Sequence, residues 1–245
     1  MKTLSSRWFI FSIIVAGFIA FTFVSQKSFF EVKEVTFKVE QNGNFLPILQ
    51  SVNKDLGNYF ASIKGRSIFS LSVSDLNSRL KDDNRLSEFK IRKIYPDKIQ
   101  VEVKLKQMAL VFLDKQGGYY PVSPLGELMP SVKLKSVASQ VILRGDDLKS
   151  NLTKSRKAVS LLNYMNEYEL LKEKQISEIT FSKADGYAVY LTNNPIVIKL
   201  GFKKLESKIK KINRVLEYLY KKDIKDCVID ARLGKKVVVK LRNET

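Results

Sequence analysis

Two carboxylate pairs, Asp82-Asp83 and Asp146-Asp147, and one thiol, Cys227, are the side chains with the best claim to chemistry. Paired carboxylates do acid–base work when their surroundings drive their pKa values apart, and a thiol attacks when a base or a positive field holds it as thiolate. Neither finds its partner here. The chain has no histidine, which removes the usual triads, most zinc sites and the commonest general base. Adjacent acids in loops and at helix ends cap or face water, and Cys227, between Asp226 and Val228 in an expected strand, reads as a buried, inert thiol. Gly117-Gly118 is a turn with no helix directly after it, so it is no phosphate cradle. The single cysteine forbids an intrachain disulfide. The expectation is a binding protein and not an enzyme, with no catalytic residues, no cofactor and no metal.

The candidate binding residues are Arg232, Lys235, Lys236, Val237, Val238, Val239 and Lys240. Three valines in a row favour a strand, expected over Lys235 to Leu241 behind the turn Arg232-Leu233-Gly234. It is the last strand in the sequence. At a sheet edge its open N–H and C=O groups would accept a partner strand, and the basic residues around it would favour an acidic one. Lysine on an edge strand also blocks indiscriminate pairing, so a purely protective role fits the same residues.

These residues need a scaffold, and its clearest element is Ser87 to Leu105. Phe89 and Ile91 alternate with Lys90, Arg92 and Lys93; then Ile99, Val101, Val103 and Leu105 alternate with Gln100, Glu102 and Lys104. The break between them is Tyr95-Pro96-Asp97. Period-2 alternation on both sides of a proline turn predicts a hairpin with one face on a core. Upstream, Val32 to Val39 reads as a strand ending at Asn42-Gly43. Phe45 to Ala61 carries a helical stripe, and Ser70 to Asp83 is a shorter helix capped by Ser72 or Ser74. The order β-α-α-β-β stacks two helices on one face of a three-stranded sheet.

Beyond Leu105, short strands are expected at Met108–Leu113, Tyr119–Val122, Glu127–Met129 and Gln140–Leu143. A helix follows, capped by Asp146 or Asp147 or, in preference, by Ser150 or Asn151, with Ala158, Leu161, Leu162, Met165, Tyr168 and Leu171 on its apolar face. Strands return at Ile176–Phe181, Tyr187–Leu191 and Ile196–Leu200. A lysine-rich amphipathic helix runs from Phe202 to Lys222, and Asp226–Ala231 pairs with the final strand. At the other end, Trp8 to Val24 carries no charge. Its 17 residues make a helix of roughly 26 Å, the short end of a membrane span. Phe23 is too large for the −3 position of a signal-peptidase cut after Ser25, so an uncleaved anchor is expected, N-terminus inside and C-terminal part outside.

The order strand, helix, Gly65 to Leu71, helix, then the hairpin with Tyr95-Pro96 resembles a POTRA domain. Placed directly after one membrane helix, it resembles the FtsQ/DivIB family of bacterial cell-division proteins. The C-terminal half carries the more specific likeness: Tyr119 to Pro130, Pro195, Leu200-Gly201, the helix to Lys222, Ile229-Asp230-Ala231-Arg232, and Val237 to Val239. The resemblance implies an α+β chain: a cytoplasmic head over 1–7, a transmembrane helix over 8–25, a POTRA domain over 29–105, and a mixed β-sheet domain with two packed helices over 106–241. It also implies a single-pass protein of the bacterial inner membrane at the septum, its C-terminal part periplasmic, binding division proteins such as FtsB and FtsL without catalysis. A membrane-anchored POTRA chaperone of polypeptide transport is the alternative. Its usual array of repeats and C-terminal barrel has no counterpart in the pattern. The net charge of +18, from 43 basic against 25 acidic residues, raises binding to anionic lipid or nucleic acid. The basic residues alternate with acids along the whole chain and form no dense aromatic-basic patch, so nucleic acid is not an expected partner.

Overall fold

The computed structural model describes residues 3–25, 27–40, 46–133, 139–234 and 236–242, with side chains described at 8, 11–19, 21–22, 29–40 and from 48 onward within those ranges. Asn42-Gly43, Phe45 and Lys235 lie outside the described residues. The chain divides into two compact units, residues 1–41 with 49–105 and residues 106–245 with 42–48.

The first unit begins with helix α1, Thr3–Ser25. All its described side chains, from Trp8 to Thr22, are exposed. Among the described residues no helix is long and apolar enough to cross a membrane. A 3₁₀ turn, Lys27–Phe30, leads to β1, Glu34–Glu40. Helices α2, Leu46–Ala61, and α3, Val73–Lys81, then precede β2, Leu86–Ile94, and β3, Lys98–Leu105. Ser72 caps α3 by accepting the Asp75 N–H. The sheet order is β1-β3-β2, with β1 parallel and β2 antiparallel to the central β3. Parallel pairing of β1 with β3 needs a long crossover, and α2, α3 and β2 provide it. Val52, Leu56 and Phe60 of α2 and Leu76 and Leu80 of α3 are buried with Ile99, Val101, Val103 and Leu105 of β3. Phe89 and Ile91 are only half-buried, because β2 is an edge strand.

A nearly buried charge cluster closes this unit. Arg85 grips Asp83 through Nε (2.9 Å) and Nη2 (2.7 Å), and Nη1 donates to Asp55 at 2.7 Å. Burial pushes the Asp83 carboxyl up, and the bonds and charge from Arg85 more than reverse it, holding it below its ordinary value. Asp82 ends α3, its N–H donating to Ser78 and Leu80 carbonyls. The Asp82-Asp83 pair is therefore a helix end and an ion-pair partner.

The second unit is an eight-stranded sheet in the order β11-β10-β9-β8-β7-β6-β4-β5. Its strands are β4 (Leu110–Leu113), β5 (Tyr119–Val122), β6 (Ile142–Gly145), β7 (Ile176–Ser182), β8 (Gly186–Leu191), β9 (Ile196–Gly201), β10 (Cys227–Asp230) and β11 (Val238–Leu241). Helices α4, Leu152–Asn166, and α5, Leu205–Lys221, share one core with the inward rows of the sheet. The pairings β4–β6, β6–β7 and β9–β10 are parallel, and the others are antiparallel.

Several elements differ from the sequence expectation. Glu127–Met129 forms no strand; Leu128 makes a single bridge to Val122. Asn151 caps α4 by accepting the Lys154 N–H, and α4 stops at Asn166, leaving Tyr168 and Leu171 to a separate 3₁₀ turn. α5 starts at Leu205 because Lys204 adopts a left-handed conformation (φ 55°) that ends the preceding loop.

Gly186 opens β8 at φ +74°, and a Cβ there would lie 2.4 Å from the carbonyl carbon of Gly201. Gly186→Ala is therefore expected to lower the unfolding free energy by about 1–3 kcal/mol from backbone strain, before any clash is added. Urea titration followed by circular dichroism measures it.

Candidate partner-binding edge

The sequence candidates converge on the β10–β11 hairpin. Cys227 and Ile229 of β10 are fully buried, so β10 belongs to the core. β11 lies against it antiparallel, with Cys227 opposite Leu241, Val228 opposite Lys240, Ile229 opposite Val239 and Asp230 opposite Val238. No described strand lies on the other side of β11. In an antiparallel ladder alternate residues point their N–H and C=O groups toward the neighbour, and the residues between point them outward.

Side-chain alternation sorts the predicted residues. Val237 and Val239 pack on the core and hold the strand in place. Val238, Lys240 and Leu241 are exposed, Leu241 at 58 %. Lys236 is exposed but precedes the strand, which is four residues long where the sequence predicted seven. Gly234, at φ +75°, belongs to the turn, so regular pairing begins only after Val237.

Arg232 has a different place from the other basic residues. Its guanidinium forks onto Asp230, with Nε at 3.1 Å from both carboxylate oxygens and Nη2 at 2.7 Å from one, and its Nη1 binds Asp185. Hydrogen bonding from Arg232 holds the Asp230 carboxyl below its ordinary range, and Asp230 in turn raises Arg232. This guanidinium ties the turn before β8 to the end of β10, and Arg242 pairs with Asp226 at 3.7 Å, leaving Lys236 and Lys240 as exposed cations of the β11 segment. Lys211 Nζ donates to the Gly234 carbonyl at 3.1 Å and braces the same turn.

Beside the clamp is a cleft of about 580 Å³ lined by Asp185, Phe202, Lys208, Asp230, Arg232 and Leu233. Lys208 is buried, donates to the Leu200 carbonyl at 2.6 Å, and is lowered in pKa by that burial. Leu233 is 74 % exposed at the cleft's lip. Sequence reasoning missed Asp185, Phe202, Lys208 and Leu233, because no local period links residues brought together by strands β8, β9 and β10.

The other reactive candidates have structural surroundings. Cys227 is fully buried, and burial pushes its thiol up, away from thiolate. Asp147 binds Lys183 at 2.8 Å and Lys154 at 3.4 Å, and those bonds hold its carboxyl low. Among the described residues no group of three Cys, Asp or Glu side chains is placed to hold a metal ion.

Residues 111–232 match the family model described as "Cell division protein FtsQ/DivIB, C-terminal". The match runs from β4 through the Arg232 clamp and stops before β11. A curated relative, "Cell division protein FtsQ" of Syntrophotalea carbinolica, is 19 % identical over 184 residues, covering 72 % of this chain. The chain spans 64 % of that relative's length. Seven of the eight strands, β4 to β10, and the Arg232 clamp thus lie where the family model aligns, and the chain belongs to the FtsQ/DivIB family of cell-division proteins.

Proposed function

We propose that this protein is a non-enzymatic, single-pass membrane scaffold of the bacterial division machinery, which holds a partner by accepting its strand at the outer edge of β11. The observation that carries the reading is the position of β11: last in the sheet, pinned through Val237 and Val239, with no described strand on its far side. Strand addition takes affinity from backbone bonds and specificity from alternate side chains. Val238 and Lys240 supply the alternate side chains, and Lys236 and Lys240 favour acidic residues in the incoming segment. Partners of this kind are small membrane proteins resembling FtsB and FtsL. The uncharged Trp8–Val24 stretch anchors the chain in the inner membrane, residues 29–105 act as the POTRA domain, and residues 106–241 form the periplasmic binding domain.

The test is co-purification of the full chain with the FtsB- and FtsL-like proteins of the same cell. The double reversal Lys236→Glu/Lys240→Glu is expected to cost roughly tenfold in affinity at low salt, with the difference shrinking toward 1 M salt, where the Debye length is about 3 Å. Undiminished binding by the double variant at low salt would remove the electrostatic part of the reading.

A further inference from the structure

Three segments of the first unit are brought together where α1 hands over to the sheet. The Phe30 carbonyl accepts the Ile68 N–H at 2.8 Å, and the Val32 N–H donates to Arg66 at 2.9 Å. The Lys33 N–H donates to the Asp97 carbonyl at 2.9 Å. These bonds gather four aromatic rings into a chain. Phe29 meets Phe30 edge-on at 5.0 Å, Phe30 meets Phe69 at 4.9 Å, and Phe69 stacks on Tyr95 at 5.5 Å. Mutual contact does not bury them: Phe69 is 61 % exposed, Tyr95 58 % and neighbouring Ile94 44 %. Lys64 and Arg66 are exposed on the loop that carries Phe69. Of the acids nearby, Asp97 faces Lys33 at 3.9 Å and Glu34 pairs with Lys98 at 2.7 Å, and half-buried Glu31 follows Phe30 in the chain.

We propose that the Phe29–Phe69–Tyr95 surface is a membrane-interface contact, which seats the first unit on the phospholipid headgroup layer. The proposal rests on the reading of Trp8–Val24 as the membrane anchor. Chain length then supplies the placement. Phe29 follows the end of α1 at Ser25 by four residues, which reach at most about 14 Å when extended. The polar layer on each side of a bilayer is roughly 5–7 Å deep. With Ser25 at the hydrocarbon boundary, that link keeps Phe29 inside the polar layer or at most about 9 Å beyond it. Aromatic rings, with an apolar body and in tyrosine a polar tip, are the side chains that partition there. Lys64 and Arg66 add attraction to anionic headgroups. A protein partner gives no comparable reason for clustering rings beside the exit of the anchor.

The native sequence contains one tryptophan, Trp8, which lies in the anchor and makes the test internally controlled. The full chain is reconstituted in bilayers of zwitterionic and anionic phospholipid, with and without lipid brominated near the headgroup end of its acyl chains. Quenching of Trp8 reads the anchor. The Trp8→Phe background then carries Phe69→Trp, Tyr95→Trp or, as control, Glu88→Trp, each at an exposed position where a larger ring fits. Glu88 is seven residues up β2 from Tyr95, about 23 Å away. The expected result is loss of emission and a blue shift for the first two chains on adding brominated lipid, and no change for the control. Full emission from both, with Trp8 quenched in the native chain, would overturn the interface contact and leave the anchor standing. An unquenched Trp8 would overturn the anchor and this contact together.

Discussion

Proline walked along β11 is expected to lower fold stability at alternate positions, and to weaken partner binding roughly 30-fold without unfolding at the positions between. Val238→Pro, Val239→Pro and Lys240→Pro sample both classes, because N–H groups alternate along the strand. Where the N–H donates to β10, proline removes a ladder bond and leaves the facing carbonyl bare, at about 1–3 kcal/mol. Where it points outward, the ladder to β10 survives and only the bond offered to an incoming strand is lost. With the outward donor gone and the partner's carbonyl left bare, the loss is about 2 kcal/mol, roughly 30-fold in affinity. Thermal denaturation and a binding titration on each variant separate the two classes. The core position of Val239 adds to the cost at that residue alone, since it packs on the buried face. A set in which binding tracks stability at every position would place the contact elsewhere.

Arg85→Met is expected to destabilise the first unit by about 3 kcal/mol. The methionine keeps much of the stem's volume, so the loss is electrostatic. Removing the guanidinium leaves the buried Asp83 carboxylate without its grip, while Asp55, more than half exposed, recovers solvent. That places the effect at the lower end of the range for broken buried pairs. The pH dependence carries a second signature. Asp83 is held below its ordinary value in the folded protein, so it contributes stability at pH above the unfolded carboxyl pKa of about 4. That contribution disappears as pH falls through the lower, folded pKa. The native chain should therefore lose stability between about pH 4 and more acid conditions through this group. In Arg85→Met the guanidinium's bonds and charge are lost while burial, the backbone N–H of residue 85 and the Arg79 charge remain, so the folded carboxyl pKa rises toward or above the unfolded value, and the loss on acidification shrinks or turns into a gain. Urea midpoints measured across that range for both chains test the sign.

Much of this architecture is written locally. The hairpin from Ser87 to Leu105 was legible because its alternation changes phase only at Tyr95-Pro96-Asp97, where the structure turns. Ser72 and Asn151 were legible as caps, since a short polar acceptor before an apolar period has few other uses. Boundaries failed where a single backbone conformation decided them, as at Lys204 before α5 and in the turn before β11. Sheet order was not legible. The parallel pairing of β4 with β6, and of β6 with β7, joins segments whose own patterns say only that each is a strand. The Arg232 clamp shows the same limit. Asp230 is two residues away and could be guessed, but Asp185 reaches Arg232 only because β8, β9 and β10 are neighbours. Arg232 therefore looked like a free cation beside the valine run and is instead a brace for the turn that presents it.

The central claim is that β11 receives a strand, and amide hydrogen exchange on the full chain reads it directly. Peptides spanning Val238 to Leu241 would be followed in the full-length protein, alone and bound to the proposed FtsB-like partner. The account predicts slowed exchange at alternate β11 amides on binding, with the β2–β3 hairpin unchanged. Slowed exchange confined to the first unit, with β11 exchanging as before, would contradict it.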